Sequence, residues 1–579
     1  MGVRTLNKEI ARIFNEIADF LEIKGELSFK INAYRRAAQN IENLSKDISE
    51  LFKENKLHTI PGVGKELAEK IKQFIETGKV KKHEELKAEI PVGLLEIMRV
   101  PGVGPKKAKL FYEKLKIDSI DKLEEAARSH KLSTLPGIQK KTEENILKGI
   151  EFLKKSSGRI PLGRALPLSQ RIIEYLLEKK VVERAEACGS IRRRKETIGD
   201  IDILGISSDP EKAMEAFTKM EIVKEVLAKG TTKSSVIVED NIQVDLRIVD
   251  KDSFGAALQY FTGSKEHNIK LRELAVKKGL KINEYGVFDL KTDKKIAGKD
   301  EEEVYKAIGL PWIPPEIREG GEEIELALQG NLPELVELKD IKGDLHIHSK
   351  WSDGTASIEE IATCAKEMGL KYVLIADHTK GLGVAGGLNE EEISEQIKEI
   401  DSLNKKIKGV RILKGIEANI QNDGSLDVSD EVLKSLDIVI ASIHHGFKNP
   451  PDVLTRRMLR AIENPYVGII AHPTGRILGE RDAYEIDIDE VMATCKKNGV
   501  ALEINAYPLR LDLNDVLSRR AMEKGIMLSI GTDAHQIDQL AYLPYGVYVA
   551  RRAWLRKDHL LNCMELDELL RYFKKKRGN

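Results

Sequence analysis

KGDLHIHSKWSDG, residues 342–354, decides how this 579-residue chain is read. Successive side chains on a strand point to opposite faces, so His346 and His348 share one face of a short strand, and Asp353 follows in a loop. The arrangement recurs downstream. YVLIADH (372–378) ends in His378, VRILKGIEANI (410–420) carries Glu417, and LDIVIASIHH (436–445) ends in His444 and His445. VGIIAHP (467–473) carries His472, and IMLSIGTDAH (526–535) ends in Asp533 and His535. Each of these residues lies at or just past the carboxyl end of an apolar strand, and helical runs such as IEEIATCAKEMGL (358–370) separate the strands. That is the period of a parallel β/α barrel with its site on the face formed by the strand ends. Buried histidines that serve only packing have no reason to choose this one position.

Six strand-end histidines with acidic partners exceed the roughly three protein ligands of a catalytic zinc, so two or three ions are implied. Mixed imidazole and carboxylate donors suit Mn²⁺ or Zn²⁺ better than Mg²⁺ or Ca²⁺. A cluster of that kind acidifies a bridging water and neutralises a phosphate ester, which makes phosphoester hydrolysis the natural reaction. LEINAYPLRLDL (502–513) fits a further strand with Asn505 and Arg510 facing the site, and Arg476 of AHPTGR suits a phosphate contact.

Upstream, EACGSIRRRKETIGDIDILGI (186–206) contains a second constellation. IGDIDILGI alternates as a strand, which puts Asp200 and Asp202 on one face ~7 Å apart. Two such carboxylates repel unless a cation lies between them, and hard oxygen donors suit Mg²⁺. SSVIVEDNIQVDLRIV (234–249) places Asp245 on a neighbouring strand and completes a three-carboxylate site for two-metal phosphoryl transfer. Gly189 and Ser190, with Arg192, Arg193, Arg194 and Lys195 close behind, offer backbone N–H, hydroxyl and guanidinium groups to a triphosphate.

At the N-terminal end, HTIPGVGKELAEKI (58–71), RVPGVGPKKAKLFY (99–112) and STLPGIQKKTEENILKGI (133–150) repeat one pattern of helix, tight glycine turn and helix. Gly62 and Gly64, or Gly102 and Gly104, let a phosphate approach N–H groups at a helix N-terminus, with Lys65, Lys106 and Lys107 beside them. Such hairpins grip backbone and ignore sequence. In the third copy Gln139 stands where the others have a glycine, and that copy is expected to be architectural.

Composition fits this division. The zero net charge conceals 58 Lys and Arg against 47 Asp and Glu in residues 1–300, a stretch 301–340 with 3 against 11, and 33 against 36 thereafter. A basic first half can follow a phosphate backbone, and GGEEIELALQGNLPELVELKD (320–340) reads as an acidic linker. Cys188, Cys364, Cys495 and Cys563 form no CxxC pair, which excludes a thiolate zinc site of that kind. No apolar run reaches the ~18 residues of a membrane span. The N-terminus reads as an amphipathic helix without the layout of a signal peptide, so a cytoplasmic location is expected.

From about residue 1 to 315 the chain resembles family X DNA polymerases, through GS…DID…VDLR together with QYFTGSKEHN (259–268) and NEYGVF (283–288). The resemblance implies Asp200, Asp202 and Asp245 as metal ligands, Gly189, Ser190, Arg193 and Arg159 (of RIPLGR) at the triphosphate, and Tyr260 and Phe261 against the sugar. It puts Asn268 at the minor-groove edge of the incoming base and Arg272 on the template side. KINAYRRAA (30–38) and residues 60–82 resemble the lyase domain of that family, with Lys70 as Schiff-base nucleophile and Lys30, Tyr34, Arg35 and Lys82 on phosphate. Glu66 departs from the pattern, since family lyases often carry a lysine there, and it disfavours a neutral Lys70. Residues 340–575 resemble the polymerase and histidinol phosphatase (PHP) domain that bacterial and archaeal members carry. The resemblance implies nine ligands: His346, His348, Asp353, His378, Glu417, His444, His472, Asp533 and His535, with His445 an extra histidine beside one of them.

The expected protein is multidomain α+β: a helix-hairpin-helix, lyase-like domain (1–84), fingers with the second and third hairpins (85–154) and a nucleotidyltransferase palm with a mixed sheet (155–255). A thumb (256–317), an acidic linker (318–339) and the PHP barrel (340–575) follow. It is expected to be a monomer that fills gapped or nicked DNA from dNTPs in base excision repair. The barrel is expected to act as a 3′–5′ exonuclease or abasic-site endonuclease. The alternatives are a DNA-end binding module with an inactive barrel, or a polymerase fused to a small-molecule phosphatase. If the hairpins hold phosphate through backbone amides, Gly64→Val and Gly104→Val weaken binding to gapped DNA equally for every sequence, by more than the loss of one exposed lysine, which lowers the salt slope by about one. A salt series of binding measurements on folded variants checks this, and parental affinity would make the hairpins mere turns.

Overall fold

The computed structural model describes all residues except 1–3, 43–47, 61, 99, 101, 157–158, 239–240, 383–384 and 578–579, so Pro61 and Pro101 of the hairpins lie outside the described residues. The chain divides into two compact units, Met1–Ser157 and Gly158–Asn579.

The first unit is helical and has two cores, one built around Phe14, Ile17, Phe20, Ile71 and Phe74, the other around Phe111, Leu123 and Ile146. Its helices follow the 3.6-residue period: Lys65–Thr77 buries Leu67, Ile71 and Phe74 and ends at Gly78, which has a left-handed backbone with φ 70°. The first glycine of every hairpin, Gly62, Gly102 and Gly137, has positive φ (77°, 85° and 78°), which is why all three copies keep it. Gly64 and Gly104 are extended N-caps, and a Cβ at either would meet no atom within 4 Å. Nothing inside the fold requires glycine at those two positions.

The second unit begins with a five-stranded mixed sheet ordered Arg184–Ala187, Asp200–Ile206, Gln243–Ile248, Lys233–Ile237 and Glu225–Lys229. Helices Phe254–Thr262, Lys265–Lys277 and Glu301–Ala307 and a three-stranded antiparallel sheet follow. Seven parallel strands in sequence order then run from Gly343–Ile347 to Leu528–Gly531, and an Ile347–Ala534 bridge all but closes the ring. These strands are buried along almost their whole length, as a parallel sheet covered on both faces requires. One apolar core runs unbroken from the mixed sheet (Ile201, Val244) and the helix Leu162–Glu178 (Ile172) into the barrel (Ile375, Ile443, Ile530). The approach is close enough that a Cβ on Gly163 would lie 2.3 Å from Pro508.

The acidic stretch is packed rather than free. Helix Glu323–Leu328 sends Ile324 and Ala327 into the core beneath the antiparallel sheet, and Leu335 joins them. Glu323 is fully buried against His267 Nδ1 at 2.7 Å. The linker-like composition comes from exposed Glu322, Glu325, Glu334 and Glu337, which hide a short apolar period. Among the described residues, no helix is long and apolar enough to cross a membrane.

Glu301 ties the mixed sheet to the helices after it. It receives Arg192 at 2.8 Å through both oxygens, Arg318 at 2.7 Å and Trp312 Nε1 at 3.0 Å, with Arg318 wholly buried. Burial alone would raise its pKa, but the two guanidiniums hold the carboxyl well below its usual 4.5. A depressed carboxyl stabilises fully at neutral pH and loses that contribution as pH falls below 4.5. Glu301→Gln, which leaves two buried cations short of a counter-charge, is expected to cost about 3–5 kcal/mol at pH 7. Urea melts should show that gap narrowing in acid, and an undiminished gap would contradict the pairing.

Candidate active sites

In the mixed sheet, Asp200–Ile206 runs parallel to Gln243–Ile248 in a register that sets Asp202 opposite Asp245, with Asp200 opposite Gln243. Three carboxylates therefore crowd one end of two adjacent strands. Burial first, then repulsion from Asp200 and Asp245, pushes Asp202 up to about 6. Asp245 is also partly buried, but hydrogen bonds from Gln243 Nε2 (2.8 Å) and Lys233 Nζ (2.9 Å) and from Ser235 keep it below its ordinary value. Gly189 has φ 59°, and a Cβ there would lie 2.7 Å from Asp202 Oδ2, so the turn before Ser190 comes close to the carboxylates only as glycine. Arg247 stacks on Phe261 at 4.5 Å, and both line a pocket with Asp202, Asp245 and Lys233.

The other residues expected on the nucleotide side have partners of their own. Tyr260 meets Phe261 edge to face, with centroids 5.1 Å apart. Asn268 donates to Tyr260 O at 2.7 Å and accepts from Gln259 at 2.8 Å, while Arg272 is exposed. Arg159 donates to Thr197 Oγ1 at 3.1 Å, and Ser190 is half-buried. Arg193 donates to Thr262 O and to Glu319 Oε1 at 3.3 Å.

In the barrel the centre is Glu417. It is wholly buried, and five histidine nitrogens surround it: His378 and His472 at 2.9 Å, His444 at 3.2 Å, His346 at 3.6 Å and His348 at 3.7 Å. Neither carboxylate oxygen makes a hydrogen bond despite these neighbours, and His348 Nδ1 and His378 Nδ1 are likewise without one. Donors gather there in three sets: His348, Asp353, His378 and His535; His346, His348 and Asp533; His378, Glu417 and His444. The carboxylates draw in positive charge. His535 is buried, which alone would lower it, yet Asp353 and Asp533 push it up to about 9. His348, crowded by burial and by His535 and His378, falls to about 3 and stays neutral, as a ligand must. Orphaned buried oxygens and nitrogens converging on common points are what a set of divalent cations would satisfy. His445 and His472 both fall outside the three sets, but His472 lies 2.9 Å from Glu417, whereas His445 is partly exposed.

Sequence reasoning missed Glu503. It is buried, holds His346 Nδ1 at 2.7 Å and accepts from His472 N at 2.7 Å, which turns His346 Nε2 toward Glu417. The signal was present: Glu503 stands two residues before Asn505 on one strand, on the same face. Asn505 and Arg510 both reach Asp533 Oδ2, at 3.1 and 3.4 Å. Arg476, read as a phosphate contact, instead turns away to Glu196 (2.7 Å) and Leu511 O.

In the first unit Lys70 pairs with Glu66 at 2.6 Å and lies 5.8 Å from the Tyr34 ring. Burial would lower its pKa, but Glu66 and Tyr34 outweigh it and hold the ammonium above its ordinary value. Lys30 faces Glu26 (3.5 Å), Lys82 faces Glu85 (3.9 Å), and Arg35 pairs with Asp19 and Glu22. Lys65 and Lys106 stand at the two helix N-termini beside Gly64 and Gly104.

Because Asp202 carries a raised carboxyl, its ionised form penalises folding fully above pH 6 and not at all below about 4. In EDTA at pH 8, Asp202→Asn is expected to stabilise the second unit by about 1–3 kcal/mol. Thermal melts check it, and a lower melting temperature would contradict the crowding of charge.

Four family models match the chain: a helix-hairpin-helix domain at residues 5–80, a SAM-like helix-hairpin-helix tandem at 94–151, the DNA polymerase beta thumb at 257–319 and the PHP domain at 344–507. The DNA polymerase/3′-5′ exonuclease PolX of Bacillus subtilis is 41% identical over 570 residues, 98% of this chain and 99% of that one. Probable phosphatases of Thermoanaerobacter sp. and Caldanaerobacter subterraneus are 32% and 31% identical over 245 residues, about 40% of this chain and 95% and 91% of theirs. With similarity running through both sites and nearly the full length of both chains, this chain belongs to the family X DNA polymerases that carry a C-terminal PHP domain.

Proposed function

We propose that the chain is a DNA-repair polymerase that fills short gaps in DNA by adding dNTPs to a 3′-hydroxyl, and that its barrel removes nucleotides in the 3′–5′ direction. The observation that carries the first half is the register of Asp202 against Asp245, which gathers three carboxylates that repel one another. In this reading Asp200, Asp202 and Asp245 hold Mg²⁺, which supplies charge neutralisation to a transferring phosphoryl group. Asp245, kept ionised by Lys233 and Gln243, accepts the proton of the primer hydroxyl. Gly189, Ser190, Arg193 and Arg159 hold the triphosphate, Tyr260 and Phe261 pack on the sugar, Asn268 reads the base edge and Arg272 faces the template. The two glycine hairpins grip backbone phosphates without reading sequence.

In the barrel the nine donors from His346 to His535, with His444 rather than His445 among them, suit two or three ions of Mn²⁺ or Zn²⁺. Such ions supply Lewis acidity to the phosphoester and acidify the attacking water. Glu503 fixes the ring of His346, and Arg510 and Asn505 orient Asp533. Against the lowering effect of burial, Glu66 and Tyr34 hold the Lys70 ammonium above its ordinary value, which disfavours the neutral amine that Schiff-base chemistry needs.

A second reading has one support: the probable phosphatases match the barrel alone, which suggests hydrolysis of small phosphomonoesters. Substitution separates the sites and the readings. Asp245→Ala is expected to abolish primer extension while sparing nuclease activity within a few-fold, and His346→Ala or His378→Ala to do the reverse. Paired extension and 3′–5′ degradation assays, with a small phosphomonoester as third substrate, check this. Equal loss of both activities would contradict two separate sites, and hydrolysis confined to the small substrate would favour the second reading.

A further inference from the structure

Between the mixed sheet and the barrel lies a group of charges that the proposed chemistry does not use. Glu319 Oε1 is shared by three cations: Arg552 at 2.9 Å, Arg193 at 3.3 Å and Lys195 at 3.3 Å. Arg552 belongs to the barrel helix Leu543–Arg552 and is nearly buried, at 8% exposure. Asp515, also of the barrel, holds its other edge, at 2.8 Å from Nε and 2.6 Å from Nη2. Its Nη1 donates in addition to the main-chain oxygen of Arg193 at 2.7 Å and to Glu316 O at 3.2 Å.

The barrel grips the same loop twice more. Arg194, whose backbone is left-handed at φ 57°, stacks on Tyr548 at 4.4 Å, and Glu196 pairs with Arg476. The segment from Ser190 to Asp200, which joins the proposed triphosphate contacts to the proposed metal ligands, is thus held from the barrel at three points.

We propose that Arg552 is a positioning residue for nucleotide addition: it occupies Glu319 and the Arg193 carbonyl so that the Arg193 guanidinium can leave Glu319 for a triphosphate. This rests on the reading of Arg193 as a triphosphate contact. A triphosphate arriving at Arg193 competes with Glu319 for one guanidinium. With Arg552 and Lys195 in place, Glu319 keeps two counter-charges when Arg193 leaves. Without Arg552 its nearest cation is gone, and the two-thirds-buried carboxylate holds Arg193 more firmly, because stripping a partner from a buried charge is costly. The loss falls on nucleotide binding and spares the chemical step. Neither Arg552 nor Glu319 belongs to the histidine cluster, so hydrolysis in the barrel is untouched.

The test uses the full chain on gapped DNA with dNTP varied. Arg552→Ala is expected to raise KM for dNTP about tenfold or more with kcat within threefold and nuclease activity within twofold, and Arg552→Lys to recover part of the loss. Glu319→Gln alone is expected to lower KM a few-fold, and Arg552→Ala with Glu319→Gln to return most of the way to the parent. Arg193→Ala raises KM if Arg193 binds triphosphate; an unchanged KM there overturns both that reading and this inference. A raised KM in Arg193→Ala with a parental KM in Arg552→Ala overturns the inference alone, as does a failure of Glu319→Gln to rescue. Should Arg552→Ala fail to fold, judged by its melt and its nuclease activity, the sign of the Glu319→Gln effect decides, and a higher KM refutes the proposal.

Discussion

A wholly buried carboxylate that makes no hydrogen bond is among the most costly things a fold can contain, and the barrel is built around one. Glu417 has histidine nitrogens on every side, none in hydrogen-bonding geometry. Taking such a charge out of water costs several kcal/mol unless opposite charge accompanies it. His378, which burial alone would lower, is raised by Glu417 beside it, and Glu503 holds His346 so that its other ring nitrogen faces the same carboxylate. The mixed sheet repeats the constraint with oxygen alone: Asp202 stands beside Asp245 because the strands are parallel and in register, and burial, then Asp200 and Asp245, raise its carboxyl. The two sites thus differ in donors, one imidazole-rich and one carboxylate-only, and donor sets of these two kinds suit different divalent cations.

The two sites do not float independently in the second unit. A continuous apolar core, the Gly163–Pro508 approach and the grip of Arg476, Tyr548 and Arg552 on the loop 193–196 make the barrel a wall of the polymerase half. A barrel that held only its own substrate would need none of these contacts. They give a physical reason for the full-length similarity to a bifunctional relative, as opposed to the barrel-only similarity to probable phosphatases.

The barrel was legible in the sequence because each of its strands is a short apolar run ending in a donor, so period and chemistry agree at every repeat. Alternation put Asp200 and Asp202 on one strand face and Asp245 on a neighbouring strand, while the parallel register that sets Asp202 opposite Asp245 appears only in the fold. Residues that act on other residues escaped. Glu503 carries no motif, and only its spacing from Asn505 hints at its face. Arg476 sits in a sequence suited to phosphate, but its direction is set by Glu196, 280 positions away. The stretch 318–339 looked like a linker because composition weighs its exposed glutamates and is blind to where Ile324, Ala327 and Leu335 point. Long-range charge pairing leaves no local period, so it can be found only in three dimensions.

The central claim is that the barrel's donors exist to hold several cations, separately from the carboxylate site. Elemental analysis of the full chain after exhaustive dialysis against metal-free buffer, compared with Glu417→Gln, tests it most directly. Two or three transition-metal ions per parent chain are expected, with most of them lost in the variant and Mg²⁺-dependent nucleotide addition preserved in both. A parent chain that retains no transition metal, or a variant that retains as much as the parent, would contradict it.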